Sequence, residues 1–299
     1  MADSLTPVKT REATPLDYVS AGFVYAFVGL LRLFPFAWVS AIGGALASTF
    51  GPMLKPSKNA RENLRRTFPE KSEAEIAMIL RGAWENLGNT AFEFAVMDQL
   101  LTDKGKHRVE IEGLDVLERI LNSGKPVLFF GAHQANWELL PVSSNILGFV
   151  CHIFYRAPNN PLLQNLFAQR YGTGELIPKG APGAKRAFAL LKKNEHLGIL
   201  VDQKLNDGIA VPFMGRDAMT GTAIAEFALR FDAPMVPIQC IRLPGARFKV
   251  IYQEPLQVTR TDDKKTDVRT VMTDINATIE GWIREYPDQW LWQHNRWPK

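Results

Sequence analysis

The chain has 299 residues, 46% of them hydrophobic and 22% charged, with a formal net charge of +4. That balance excludes a disordered or fibrous chain and fits one large globular domain or two small ones. Its two cysteines, Cys151 and Cys240, make neither a disulfide framework nor a zinc spacing, and the mild positive charge suits an anionic surface or substrate without marking a nucleic-acid binder.

The opening stretch, MADSLTPVKTREATPLD, is polar. From Tyr18 to Leu31 no residue is charged; Arg32 interrupts, and Leu33 to Leu54 is again free of charge. The first run is shorter than the roughly 20 residues a membrane span needs, and the second holds Pro35, Gly43, Gly44 and Pro52. No charged leader precedes a small-residue cleavage site, so a secretory signal is not expected. Residues 1–55 therefore read as a membrane-anchoring helical segment, spanning once or lying as an interfacial pair, with a pair of core helices as the plainer alternative. Lys55, Lys58, Arg61, Arg65 and Arg66 follow against the single acid Glu62, which favours the cytoplasmic face of a membrane.

Residues 56–299 read as an α/β domain. Ser72 and Glu75 make a capping box, and Ile76, Leu80, Trp84, Leu87, Ala91 and Phe94 continue at helical spacing. Val109–Glu112 has strand length. Leu114, Leu117, Ile120 and Leu121 mark an amphipathic helix that stops at Gly124. Apolar runs at 127–130, 149–155, 197–202 and 234–241 then alternate with helical patterns over 181–193 and 220–230. The run RFKVIYQ pairs with the last of these across RLPGA, and a final helix covers about 262–285. Strands alternating with helices predict a mostly parallel central sheet with an antiparallel edge and flanking helices. The terminal WLWQHNRW either anchors at an interface or packs on the sheet.

In open α/β sheets ligands bind beyond the carboxyl ends of strands. His133 stands three residues past the 127–130 run, and Glu138 follows five residues later. On one regular helix that spacing separates two side chains by about 140°, so the pair meets only if His133 lies in the turn and Glu138 reaches back from the first helical turn. The arrangement suggests a general base and its orienter, His133 taking a proton and Glu138 holding the other ring nitrogen. No serine or cysteine stands at this turn, so a substrate hydroxyl is the nucleophile. Arg156, Asn159 and Asn160 follow the next strand, Asp202, Gln203 and Lys204 the one after, with Arg216 beyond. Three polar clusters at successive strand ends favour a substrate site, with the arginines suited to phosphate or carboxylate. Taken singly, each also fits a turn-shaping, capping or solvated role. The other histidines, His107, His152, His196 and His294, have no metal-ligand spacing, so a metal-dependent hydrolase is the weaker reading and no metal or other cofactor is expected.

The blocks AHQANWE, FYRAPNNP and VDQ…VPFMGRDAMTGTAIAEFALRFDAPMVPI, with NARENLRRTFPE before them and QWLWQHNRWPK at the end, resemble the bacterial late acyltransferases of lipid A biosynthesis, within the lysophospholipid acyltransferase superfamily and its His-x4-Asp/Glu hallmark. The resemblance runs from about residue 20 to 299 and implies a glycerolipid acyltransferase-like fold. It implies transfer of a fatty acyl chain from an acyl carrier protein thioester to a hydroxyl of a phosphorylated glycolipid, the lipid A precursor, at the cytoplasmic face of the inner membrane. His133 matches the family's general base and Glu138 its partner; Arg156, Asp202 and Gln203 match polar positions of the later blocks. VDQKLNDGIAVPFMG stands where the glycerolipid enzymes carry a Pro-Glu-Gly signature, which favours the lipid A branch. Other acceptors, such as a phosphoinositide mannoside, an aminolipid or a lysophospholipid, with acyl-CoA or acyl carrier protein as donor, remain the alternative, and a non-catalytic membrane-binding protein is a further one.

Overall fold

The computed structural model describes residues 11–164, 166 and 174–297. Its centre is a seven-stranded sheet in the order β1-β9-β8-β2-β5-β3-β4. These strands are β1 (Val109–Glu112), β2 (Leu128–Gly131), β3 (Cys151–Tyr155), β4 (Leu176–Pro178), β5 (His196–Leu200), β8 (Met235–Leu243) and β9 (Arg247–Tyr252). Five neighbouring strands, β8 through β4, run parallel; β9 turns back on β8, and β1 runs parallel to β9. The mostly parallel sheet and its antiparallel edge are thus as the alternation predicts. β2 is buried at every position, as a parallel strand covered on both faces must be. Leu128 and Phe130 face one apolar layer and Val127 and Phe129 the other.

One layer is built by α3 (Pro56–Thr67), α4 (Glu73–Glu93), α7 (Ala181–Leu191), α8 (Ala223–Phe231) and α9 (Lys264–Glu285); the other by α5 (Leu114–Leu121), α6 (Leu139–Leu147) and buried residues at the ends of α1 (Pro15–Leu31) and α2 (Phe36–Phe50). The capping box forms: Ser72 Oγ accepts from Glu75 N–H, and the Glu75 carboxylate from Ser72 N–H, an arrangement that stabilises by about 1 kcal/mol. The C-terminal tryptophans pack inward. Trp290, Trp292 and Trp297 are buried, and Trp290 and Trp292 meet edge to face at 4.8 Å, each such pair adding about 1 kcal/mol beyond burial.

A second, two-stranded sheet, β6 (Ile209–Phe213) and β7 (Arg216–Thr220), was not among the sequence expectations. Its link is two residues long with Met214 at φ +51° and Gly215 at +72°, both left-handed, as in a type I′ hairpin turn. Methionine is an unusual occupant there, which hides the turn from a reading by composition.

The N-terminal helices present two faces. α2 packs on α4 so closely that a Cβ on Gly43 would lie 2.4 Å from the Gly88 carbonyl oxygen. Away from that contact Tyr18, Phe23, Leu30, Leu33, Trp38, Leu46, Phe50 and Met53 are all exposed. Among the described residues no single helix is long and apolar enough to cross a membrane; 36–53 and 56–67 meet that test only as a pair bent by 85°.

Candidate active site

β2 and β5 are parallel neighbours, with Gly131 beside Leu200. Counting two residues past each strand end therefore brings His133 and Asp202 together. Asp202 Oδ1 lies 2.7 Å from His133 Nδ1, and Asp202 Oδ2 accepts the His133 backbone N–H at 2.8 Å. The same Oδ2 accepts Trp290 Nε1–H at 2.8 Å. Burial alone would push the Asp202 carboxyl up, but the facing imidazole, these two backbone and ring hydrogen bonds and the tryptophan outweigh it and bring it down to about 2. An ionised carboxylate only accepts, so His133 Nδ1 carries a proton. Gln203 Nε2, an amide nitrogen that only donates, lies 3.1 Å from His133 Nε2, so Nε2 is the accepting nitrogen of that contact.

The sequence reading gave the second ring nitrogen to Glu138; the structure gives it to Asp202. The reason lies in the chain path. Glu138 is the residue before α6, and its Oε1 accepts Trp137 Nε1–H at 3.1 Å. Trp137 packs against the His133 ring with centroids 5.2 Å apart, so an indole links the glutamate to that ring. The turn itself is tightly specified. A Cβ on Gly131 would lie 2.4 Å from Leu140 Cδ1, and Ala135 holds φ at +49°. The His133 carbonyl accepts from Leu291 N–H at 3.1 Å, so the C-terminal segment is stitched to the turn.

His133 and Gln203 line a cavity of about 330 Å³. Its walls are apolar, built from Phe129, Phe130, Leu140, Ile153, Ile199 and Ile238, and its polar side holds His133, Glu138, Gln203, Arg156 and Lys179. A greasy slot with few convergent polar groups is the usual form of a lipid or cofactor pocket. Cys151 also lines it, but burial pushes its thiol up to about 12, which leaves it without nucleophilic character.

Of the nine residues singled out from sequence, His133, Glu138, Arg156 and Gln203 line this cavity and Asp202 backs it. Four do not line it. Asn160 is occupied in holding the chain: its Nδ2 donates to Asp17 O at 2.8 Å and Ser20 Oγ at 3.0 Å, and its Oδ1 accepts from Leu162 N–H. Asn159 is exposed beside it. The Lys204 backbone N–H donates to His294 Nε2 at 3.3 Å. Arg216 stacks on Trp297 at 3.9 Å and leans toward Asn63 of α3, where burial lowers its pKa. Substrate contact expected for these four finds no support in their positions. Lys179 and Trp290 were not anticipated. Lys179 follows the three-residue β4, too short to register as a strand, and Trp290 reaches Asp202 from 88 residues away. Among the described residues no group of three or more His, Cys, Asp or Glu side chains is placed to hold a metal ion.

Comparison with known proteins matches residues 7–299 to the model of the bacterial lipid A biosynthesis acyltransferase family. The chain is 26% identical over 296 residues to the lipid A biosynthesis lauroyltransferase of Escherichia coli (strain K12), covering 94% of this chain and 90% of that protein. It is 22% identical over 287 residues to the lipid A biosynthesis palmitoleoyltransferase of the same organism, and equally to a lipid A biosynthesis acyltransferase of Shigella flexneri, with the same coverage.

Proposed function

The chain belongs to the bacterial lipid A biosynthesis acyltransferases and is an O-acyltransferase; from that premise we propose that it moves a fatty acyl chain from an acyl carrier protein thioester to a hydroxyl of a phosphorylated lipid A precursor, with His133 as general base. The observation that carries this reading is the 2.7 Å contact of His133 Nδ1 with buried, ionised Asp202, on a histidine that lines a largely apolar cavity.

The acyl chain occupies the slot between Phe129, Leu140, Ile153 and Ile199, which brings its thioester carbonyl beside His133. The acceptor hydroxyl takes the place at Nε2 now faced by Gln203. As its oxygen bonds to the carbonyl carbon, its proton passes to Nε2, and Asp202 stabilises the imidazolium without itself being protonated. Collapse of the tetrahedral intermediate breaks the carbon–sulfur bond, and the imidazolium returns the proton to the departing thiolate. Gln203 Nε2–H is close enough to serve the developing oxyanion. Arg156 and Lys179 at the polar side of the cavity suit a phosphate of the acceptor or of the donor's carrier group. Glu138 acts through Trp137 on the ring's orientation.

The uncharged, exposed face of α1 and α2 is too large for a free aqueous surface and suits burial in the cytoplasmic leaflet of the inner membrane. Lys55, Lys58, Arg61 and Arg65 stand directly after it, where anionic lipid headgroups attract them.

The test is transfer by purified protein in mixed micelles, with acyl carrier protein and coenzyme A thioesters each offered to a lipid A precursor, a lysophospholipid and an aminolipid. The reading expects transfer only to the lipid A precursor and faster from the carrier protein. Transfer confined to another acceptor, or equal use of both donors, would correct the corresponding half.

A further inference from the structure

The last turns of α4 carry a polar stripe that this mechanism does not use. Asn86, Thr90 and Glu93 lie four and three residues apart, hence on one face of the helix, and all three are buried. Glu93 is wholly so, at 0% exposure. Its carboxylate accepts from Arg242 Nη1, from Arg242 Nη2 at 3.0 Å, from Ser40 Oγ at 2.6 Å and from Asn136 Nδ2 at 2.7 Å. Arg242 also donates Nε–H to Asn86 Oδ1 at 2.8 Å and Nη2–H to Thr90 Oγ1 at 3.0 Å, and lies over the Phe248 ring.

This network ends on the turn that carries His133. Asn86 Nδ2 and Thr90 Oγ1 both donate to the Ala135 carbonyl, at 3.1 and 2.9 Å. Ala135 N–H donates to Gln289 O at 2.8 Å, while Gln289 itself exchanges two hydrogen bonds with the Arg242 backbone. Asn136 Oδ1 accepts from Glu138 N–H at 3.1 Å. The residue so gripped is the one at φ +49°, a conformation that an alanine keeps only when its surroundings enforce it. A buried ion pair is a poor source of net stability, since an apolar replacement of both partners is often as good. What this pair supplies is geometry.

We propose that the Glu93–Arg242 pair, acting through Asn136 and the Ala135 carbonyl, is a positioning device that holds the 133–138 turn in its left-handed kink and so keeps His133 Nδ1 on Asp202. The proposal rests on the reading of His133 as the base. Among the described residues the cavity is lined by side chains other than Glu93, Arg242 and Asn136, so these groups act on the rate through the loop and not through substrate binding.

Two variants of the full chain test it. Asn136→Ala cuts the link through Asn136 and leaves the ion pair and the bonds to the Ala135 carbonyl intact. Glu93→Gln with Arg242→Met removes both charges together and leaves neither buried alone. Each is examined in detergent micelles by its thermal transition, by kcat and KM, and by the NMR signal of the His133 Nδ1–H proton in protein labelled with 15N-histidine. The expected result in both folded variants is a kcat lower by about 100-fold with KM within about twofold, and a weakened or lost His133 Nδ1–H signal. If the double variant does not fold, Asn136→Ala decides. An undisturbed signal in folded variants overturns the proposal whatever the rate. A lost signal with unchanged kcat upholds the positioning and instead removes His133 from the chemistry, so the two readings fail separately.

Discussion

Both ends of the parallel sheet hold histidines near carboxylates, but their ring nitrogens are engaged differently. At the amino-terminal end, His152 Nδ1 accepts from Glu175 N–H at 2.9 Å while its Nε2 faces Glu195 at 3.4 Å, and His196 Nδ1 accepts from Val127 N–H at 3.2 Å. These rings spend a lone pair on backbone N–H groups and so pin strand ends. At the carboxyl end, His133 Nδ1 donates to a buried anion, and its Nε2 meets a side-chain amide, that of Gln203, with both residues lining a cavity. Proximity to a carboxylate does not make a base. A base needs an anion on one nitrogen, held deprotonated by its own hydrogen bonds, and room for substrate at the other.

The sharpest way to break this contrast is to exchange the loss. His133→Ala is expected to lower kcat by roughly 10³-fold or more while the thermal transition stays within a few degrees, measured by transfer of a radiolabelled acyl chain. His152→Ala under the same assay is expected to change stability far more than turnover. Arg156→Ala comes next. Loss of a charge-assisted contact to phosphate should cost about 10- to 100-fold in kcat/KM, mostly through KM, and a change confined to the melting curve would make the arginine structural. Glu138→Gln should cost less than about tenfold in kcat, because the amide oxygen still accepts from Trp137 and the ring keeps Asp202. A loss as large as that of His133→Ala would return the orienting role to Glu138.

The smallest effect concerns stability alone. Burial lowers the pKa of His196, with the nearby charge of Glu195 opposing and that of His152 adding to the lowering. A histidine held neutral in the folded state stabilises fully above its unfolded pKa of about 6.5, and that contribution is lost as pH falls toward the lower folded value. Thermal midpoints should therefore drop between pH 7 and pH 5, and His196→Gln should flatten part of that slope without altering transfer at pH 7.5. An unchanged slope would assign the acid sensitivity elsewhere, His294 being the next group that burial holds low.

Much of the site was legible because strand ends are local. The apolar runs at 127–130 and 197–202 announce where His133 and Asp202 stand at the sheet's edge. Their adjacency was not legible, since β2 is flanked by β5 and β8, neither of them its neighbour in sequence. Glu138 drew attention by lying five residues from His133, whereas Asp202 lies 69 residues away and Trp290 a further 88. The α4 stripe of Asn86, Thr90 and Glu93 was hidden differently. Its helix was read from its apolar positions, and nothing in a single helix tells a buried polar face from a solvated one. Asn159, Asn160, Lys204 and Arg216 stand near the right strand ends, but a side chain's direction is decided by loops whose course no local pattern fixes. The terminal tryptophans were open between membrane and core because aromatic content is the same for both.

The most direct test of the account is Asp202→Asn in a single-turnover transfer assay on protein shown to be folded. An amide in that position donates to Nδ1 and forces the proton onto Nε2, so the ring can no longer accept from the hydroxyl, and the rate should fall by roughly 10³- to 10⁴-fold with donor binding retained. A rate within about tenfold of the unaltered protein would contradict it, for then Asp202 would contribute no more than one ordinary hydrogen bond and the base would have to be sought elsewhere in the cavity.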